Sequence, residues 1–67
     1  METIQILLGM YHHIPSDTYT MFFRINGFKK RIDVLATAEA NDLYRHSRWM
    51  TIEEYNSLPD YTELHND

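Results

Sequence analysis

Apolar and polar positions alternate with period two on both sides of Asn26-Gly27, from Thr18 to Leu35. An Asn-Gly pair between two such runs is the strongest short hairpin signal, because both residues tolerate the positive φ of a type I′ turn. The turn sets the register by counting outward. Ile25 faces Phe28, Arg24 faces Lys29, Phe23 faces Lys30, Phe22 faces Arg31, Met21 faces Ile32, Thr20 faces Asp33 and Tyr19 faces Val34. One face then carries Tyr19, Met21, Phe23, Ile25, Phe28, Lys30, Ile32 and Val34, an apolar set suited to a core. The other carries Thr18, Thr20, Phe22, Arg24, Lys29, Arg31, Asp33 and Leu35, polar and basic around one large aromatic ring. A slip of one residue would invert both sets, so the clean sorting supports this register.

Upstream, Thr3 to Tyr11 alternates well enough for a first strand, with Ile4, Ile6, Leu8 and Met10 on one face and Leu7 and Tyr11 on the other. His12 to Asp17, marked by Pro15, Ser16 and Asp17, reads as a connection. Sequential strands tend to be neighbours, so the first strand is expected to pair with Tyr19–Ile25. Downstream, Thr37 can cap a helix over about residues 38–47, with Glu39 in its first turn and a short stripe of Ala40, Leu43 and Tyr44. Thr51-Ile52-Glu53-Glu54 is a capping box opening a second helix over about 52–58, where Ile52, Tyr55 and Leu58 share a face and Pro59 ends the turn. Trp49, between the helices, is expected to close one end of the core.

The expected fold is therefore α+β. A three-stranded antiparallel meander (about 3–11, 18–25 and 28–35) packs its apolar face against one or two short C-terminal helices. Residues 1–67 form a single compact domain, with 60–67 a loose acidic tail that Tyr61 and Leu64 could fasten.

Length changes this picture by limiting the core. A domain of 67 residues supplies roughly 3 to 5 kcal/mol from its core unaided, which leaves a homodimer open. With no cysteine, neither a disulfide framework nor a thiolate metal site can form. The start, Met1-Glu2-Thr3, has no basic segment, and the apolar stretch Ile4 to Met10 is short and broken by Gln5. Neither a signal peptide nor a membrane span fits it, so a complete cytoplasmic protein is expected.

Charge is unevenly spread. The net value of −4 divides into −2 over residues 1–23, +3 over 24–48, where all six Lys and Arg lie, and −5 over 49–67. A nucleic-acid binder is usually basic as a whole domain. The acidic run could cover the hairpin in cis, mimic phosphates for a basic partner, or keep the chain in solution.

Candidate chemistry is sparse. His12 and His13 resemble a metal pair, but neighbours in a strand point to opposite faces. Asp42 and His46, four apart on a predicted helix, would need His65 or Glu39 as a third ligand and read better as an ordinary helix contact. Ser47 has no base facing it, Gly9 and Gly27 form no phosphate loop, and Glu53 and Glu54 have a capping role available. The sequence thus offers no catalytic residue, no cofactor and no metal site, and an enzyme is not expected.

Function should lie in binding. Arg24 and Lys29 sit opposite each other on the ladder, and like charges there cost stability unless an anion or the chain itself relieves them. One reading makes Phe22, Arg24, Lys29, Arg31, Trp49, Glu53 and Glu54 a surface that docks stoichiometrically on a protein partner. Tyr, Met and Trp are abundant here, and Trp, Tyr, Met and Arg are enriched at interface cores. Small acidic phage-type inhibitors of host nucleic-acid machinery share this size and charge profile, an analogy without a motif. The alternative is a module that binds single-stranded RNA or DNA through Phe22, Arg24, Lys29 and Arg31.

Overall fold

A computed structural model describes residues 2–64 and runs β1 (Gln5–His13), β2 (Thr18–Ile25), β3 (Phe28–Leu35), α1 (Ala38–His46) and α2 (Ile52–Ser57). The strands form an antiparallel meander in the order β1-β2-β3. The hairpin register is the one that counting from Asn26-Gly27 gives, pair for pair from Ile25/Phe28 to Thr18/Leu35. Asn26 and Gly27 both take positive φ, at 53° and 93°, as a type I′ turn requires. Asn26 also reaches sideways. Its Oδ1 accepts from the Ile4 N–H at 2.9 Å, and its own N–H donates to the Ile4 carbonyl at 2.8 Å, which ties the start of the chain to the turn.

β1 departs from the expected alternation. It runs to His13, because Tyr11, His12 and His13 pair with Thr20, Tyr19 and Thr18. Its register also shifts between Leu7 and Gly9. A bulge of this kind reassigns faces, so Leu7 and Met10 join one apolar cluster while Leu8 and Tyr11 join the other. Ile4, Ile6, Leu8 and Met10 therefore do not share a face.

The helices cover opposite faces of the sheet, where the sequence pointed to cover of the apolar face alone. α1 packs Ala40 and Tyr44 over Met10, Tyr19, Met21 and Val34, and the Tyr19 hydroxyl donates to Asn41 Oδ1. Thr37 caps α1 by accepting from the Ala40 N–H at 3.1 Å. α2, capped in the same way by Thr51 through the Glu54 N–H at 3.1 Å, sets Tyr55 on Phe22 with ring centroids 4.8 Å apart. Met50 and Leu58 complete that second cluster.

Between and after the helices the chain follows the sheet edges. Met10 donates its N–H to the Arg48 carbonyl (2.9 Å), and Met50 donates to the Met10 carbonyl (3.0 Å), so residues 48–50 run along the outer edge of β1. Lys29 donates its N–H to the Asp60 carbonyl (3.2 Å) and Thr62 donates to the Gly27 carbonyl (2.9 Å), so 60–62 lie along the hairpin tip at β3. The C-terminal half thus passes over one face, round one edge, under the other face and up at the opposite edge. Both glycines stand where this belt crosses the sheet. A Cβ on Gly9 would lie 2.7 Å from Met50 Cβ and 2.8 Å from the Arg48 carbonyl oxygen. On Gly27, already at positive φ, it would lie 2.5 Å from the Thr62 carbonyl oxygen.

Two expectations change as a result. Residues 60–62 are paired to the hairpin instead of loose, with Tyr61 against Phe28 at 4.9 Å; residues 65–67 lie outside the described residues. Trp49 does not close the core. In an extended segment adjacent side chains point apart, and here Met50 turns inward while Trp49 stays 56% exposed. Among the described residues, no helix is long and apolar enough to cross a membrane.

Candidate functional site

The opposed Arg24 and Lys29 find their acceptors within the chain. Arg24 is 5% exposed and donates from Nη1 to the Gly27 carbonyl (3.0 Å) and from Nη2 to the Pro59 carbonyl (2.7 Å). Lys29 Nζ donates to the carbonyls of Tyr55 (3.1 Å) and Leu58 (3.0 Å), sits 4.7 Å from the centroid of the Tyr55 ring and lies 3.5 Å from Asp60 Oδ1. The last carbonyls of a helix lack intrahelical partners and carry the negative end of its dipole. α2 has no basic residue in its own last turn, so the sheet provides the cations. Phe22, 1% exposed beneath Tyr55, completes this buried arrangement. Phe22 and Arg24 are thus interior residues, and Lys29 is largely used inside the fold. They do not form the exposed surface that alternation suggested, because α2 and residues 58–61 lie over that face.

The remaining candidates stand elsewhere. Arg31 is exposed on β3, Glu53 is exposed on the first turn of α2, and Glu54 pairs with Arg48 at 3.4 Å. Arg31 lines an open cleft of about 450 Å³ together with Tyr11, His13, Thr20, Phe22, Asp33 and Ile52. Its floor is polar and ordered. Thr20 Oγ1 donates to Asp33 Oδ1 at 2.7 Å, so its oxygen accepts from His13 Nε2 at 2.7 Å, which places the histidine proton on Nε2. Thr20 is buried and its hydroxyl is hydrogen-bonded on both sides, which suits a rigid recognition floor. The Tyr11 ring meets His13 edge-on at 4.9 Å and lies 6.1 Å from Trp49, linking the cleft to the exposed indole at the β1 edge.

Tyr11, His13 and Ile52 are the members of this site that alternation did not place on the Phe22 face; Thr20 and Asp33 it did place there, without marking them as site residues. A signal for the first two was present. Tyr11 and His13 share a face once the strand is extended through the histidine pair, and β-branched or aromatic neighbours on both sides would have justified extending it. His12 lies on the opposite face, stacked on Tyr19 at 4.5 Å, and hydrogen-bonds through Nε2 to Asp17 at 3.1 Å. His46 Nδ1 takes the Asp42 backbone carbonyl at 2.8 Å. Among the described residues no group of three or more His, Cys, Asp or Glu is placed to hold a metal ion; His65 is outside them. No protein-family model, curated protein or solved structure matches this chain.

Proposed function

We propose that this chain is a small non-catalytic protein that acts stoichiometrically by docking on a protein partner, with Trp49 as the central contact and the Tyr11–Ile52 cleft beside it. The observation that carries this is the exposed indole of Trp49 next to Tyr11 at the mouth of the cleft; the other two exposed rings, Phe28 and Tyr61, lie against each other at the hairpin tip. An exposed Trp with a half-buried Tyr beside it, next to a recess with a few ordered polar groups, is a common centre of a protein interface. The rim of the patch is mixed in charge, with Glu53 exposed, Glu54 paired to Arg48 and Arg31 in the cleft, while residues 49–67 as a whole carry a charge of −5. A basic groove is the complementary surface. An inhibitor acting on nucleic-acid machinery in the cytoplasm fits that complementarity, in the manner of phage-type inhibitors.

The alternative, direct binding of single-stranded RNA or DNA, loses support from the basic side chains themselves. Arg24 and Lys29 donate to Gly27, Pro59, Tyr55 and Leu58 carbonyls, leaving neither as a phosphate clamp.

The test compares the wild-type chain with Trp49→Ala as baits in extract of the native host. The captured protein, once purified, is then titrated while the fluorescence of Trp49, the sole tryptophan, is followed. Docking predicts saturable one-to-one quenching or blue shift and at least tenfold weaker binding of Trp49→Ala, about 1.4 kcal/mol or more. Equal capture by both baits, or recovery of RNA in place of protein, would overturn the reading.

A further inference from the structure

Among the described residues, none pairs with the outer edge of β3 beyond Lys29. Asp60 occupies the Lys29 N–H, and in an antiparallel ladder the outward groups recur at every second residue. The outward backbone groups of Arg31 and Asp33 therefore face away from β2. Both faces of the strand are thinly covered here as well, with Ile32 47% and Leu35 74% exposed. Residues 30–35 have no proline or bulge; of the devices that usually blunt a free edge they carry only charge, at Lys30, Arg31 and Asp33.

We infer that this edge pairs with the same edge of a second copy of the chain, antiparallel about a two-fold axis through Ile32. The side-chain order selects that register. Outward-facing residues must oppose outward-facing residues, so Arg31 of each copy meets Asp33 of the other, exchanging both backbone hydrogen bonds and pairing opposite charges. Ile32 faces its own counterpart at the close, non-hydrogen-bonded position, on the α1 face of the sheet. Sliding either copy by two residues sets Arg31 on Arg31 or Asp33 on Asp33, and like charges directly opposite are unfavourable. The Asp60 contact with Lys29 ends the ladder on each side, so pairing is short and closed. A self-complementary patch of this kind generates a dimer and not a fibre. Trp49 and the β1 edge are not used, but Arg31 and Asp33 also line the cleft of the docking surface proposed above, so the pairing is tested on the chain alone, with no partner present.

Sedimentation equilibrium at low salt, up to about 1 mM, tests it. The 8.1 kDa chain is expected to double in mass with concentration. Arg31→Glu and Asp33→Lys should each remain monomeric, while an equimolar mixture of the two variants, and the double variant carrying both changes, should recover the dimer. Asp33 also accepts from Thr20, so a misfolded Asp33→Lys is covered by a second measurement on the wild-type chain. Hydrogen exchange should slow with concentration at the Arg31 and Asp33 amides and stay constant at Ile32 and Val34, which are already bound to β2. A wild-type mass that stays monomeric, a dimer that both single variants retain, or exchange that ignores concentration at Arg31 and Asp33 would each overturn the pairing.

Discussion

The two faces of the sheet hold their helices by different means. On the α1 side, the contact is apolar packing of Met10, Tyr19 and Ala40, with Tyr44 tilted against Tyr19 at 4.9 Å and a side-chain hydrogen bond from Tyr19 to Asn41. α1 also carries its own basic last turn, Arg45 and His46. On the other side α2 is a third shorter, has no basic residue at its end, and is held by Phe22 together with two cations rising from the sheet. Isolated helices of such length are not stable in water. α2 therefore depends on partners for its terminal carbonyls in a way that α1 does not. A charged ladder pair that looks like a ligand site can be the anchor of a short helix when backbone carbonyls, in place of carboxylates, accept from it.

The sharpest way to break the contrast is to remove the cations. Arg24→Met should destabilise the domain by about 3 kcal/mol and Lys29→Met by about 2 kcal/mol, because buried acceptors lose charged donors. Urea unfolding followed by circular dichroism measures both. An effect on either variant no larger than that of an exposed control such as Lys30→Met would mean that α2 is held by Phe22 alone. A smaller effect, about 1 to 3 kcal/mol, is expected for Gly9→Ala, where the added methyl meets Met50 and the Arg48 carbonyl. In that variant Trp49 fluorescence should shift as the 48–50 crossing is displaced; an unchanged spectrum with unchanged stability would show that the edge gives way freely. The smallest test is a matched pair of caps. Thr37→Ala and Thr51→Ala each remove one hydrogen bond to an orphan N–H, worth about 1 kcal/mol. Loss of helical signal should be larger for Thr51→Ala relative to helix length, since α2 has little else of its own.

The hairpin was legible because a two-residue turn propagates its register along both strands, and Thr18 through Leu35 follow it without exception. The caps were legible for a related reason: Thr37 and Thr51 act on N–H groups only three residues away. The bulge at Gly9 was not. It lies where residues 48–50, some forty positions downstream, cross β1, and no local pattern records that approach. The split of the helices between two faces was hidden in the same way. Tyr55 and Phe22 are compatible partners in any arrangement, and only the length of the 48–50 crossing carries the chain from one side to the other. Of the residues singled out for binding, Arg31, Trp49 and Glu53 are exposed, whereas Phe22 and Arg24 are buried by this long-range cover.

The belt also imposes an order on how the molecule comes into being. The contacts among β1, β2 and β3 need no residue beyond Leu35, but Arg24 binds the Pro59 carbonyl and Lys29 the Leu58 carbonyl, so both cations wait on a segment remote in sequence. A partly folded chain in which the sheet has formed and residues 58–62 have not docked presents Phe22 and two unsatisfied cations to its surroundings, a state prone to capture by chaperones or by other chains. Docking of residues 58–62 closes the second face and the hairpin tip in one movement, so the sheet is finished by the belt and not strand by strand.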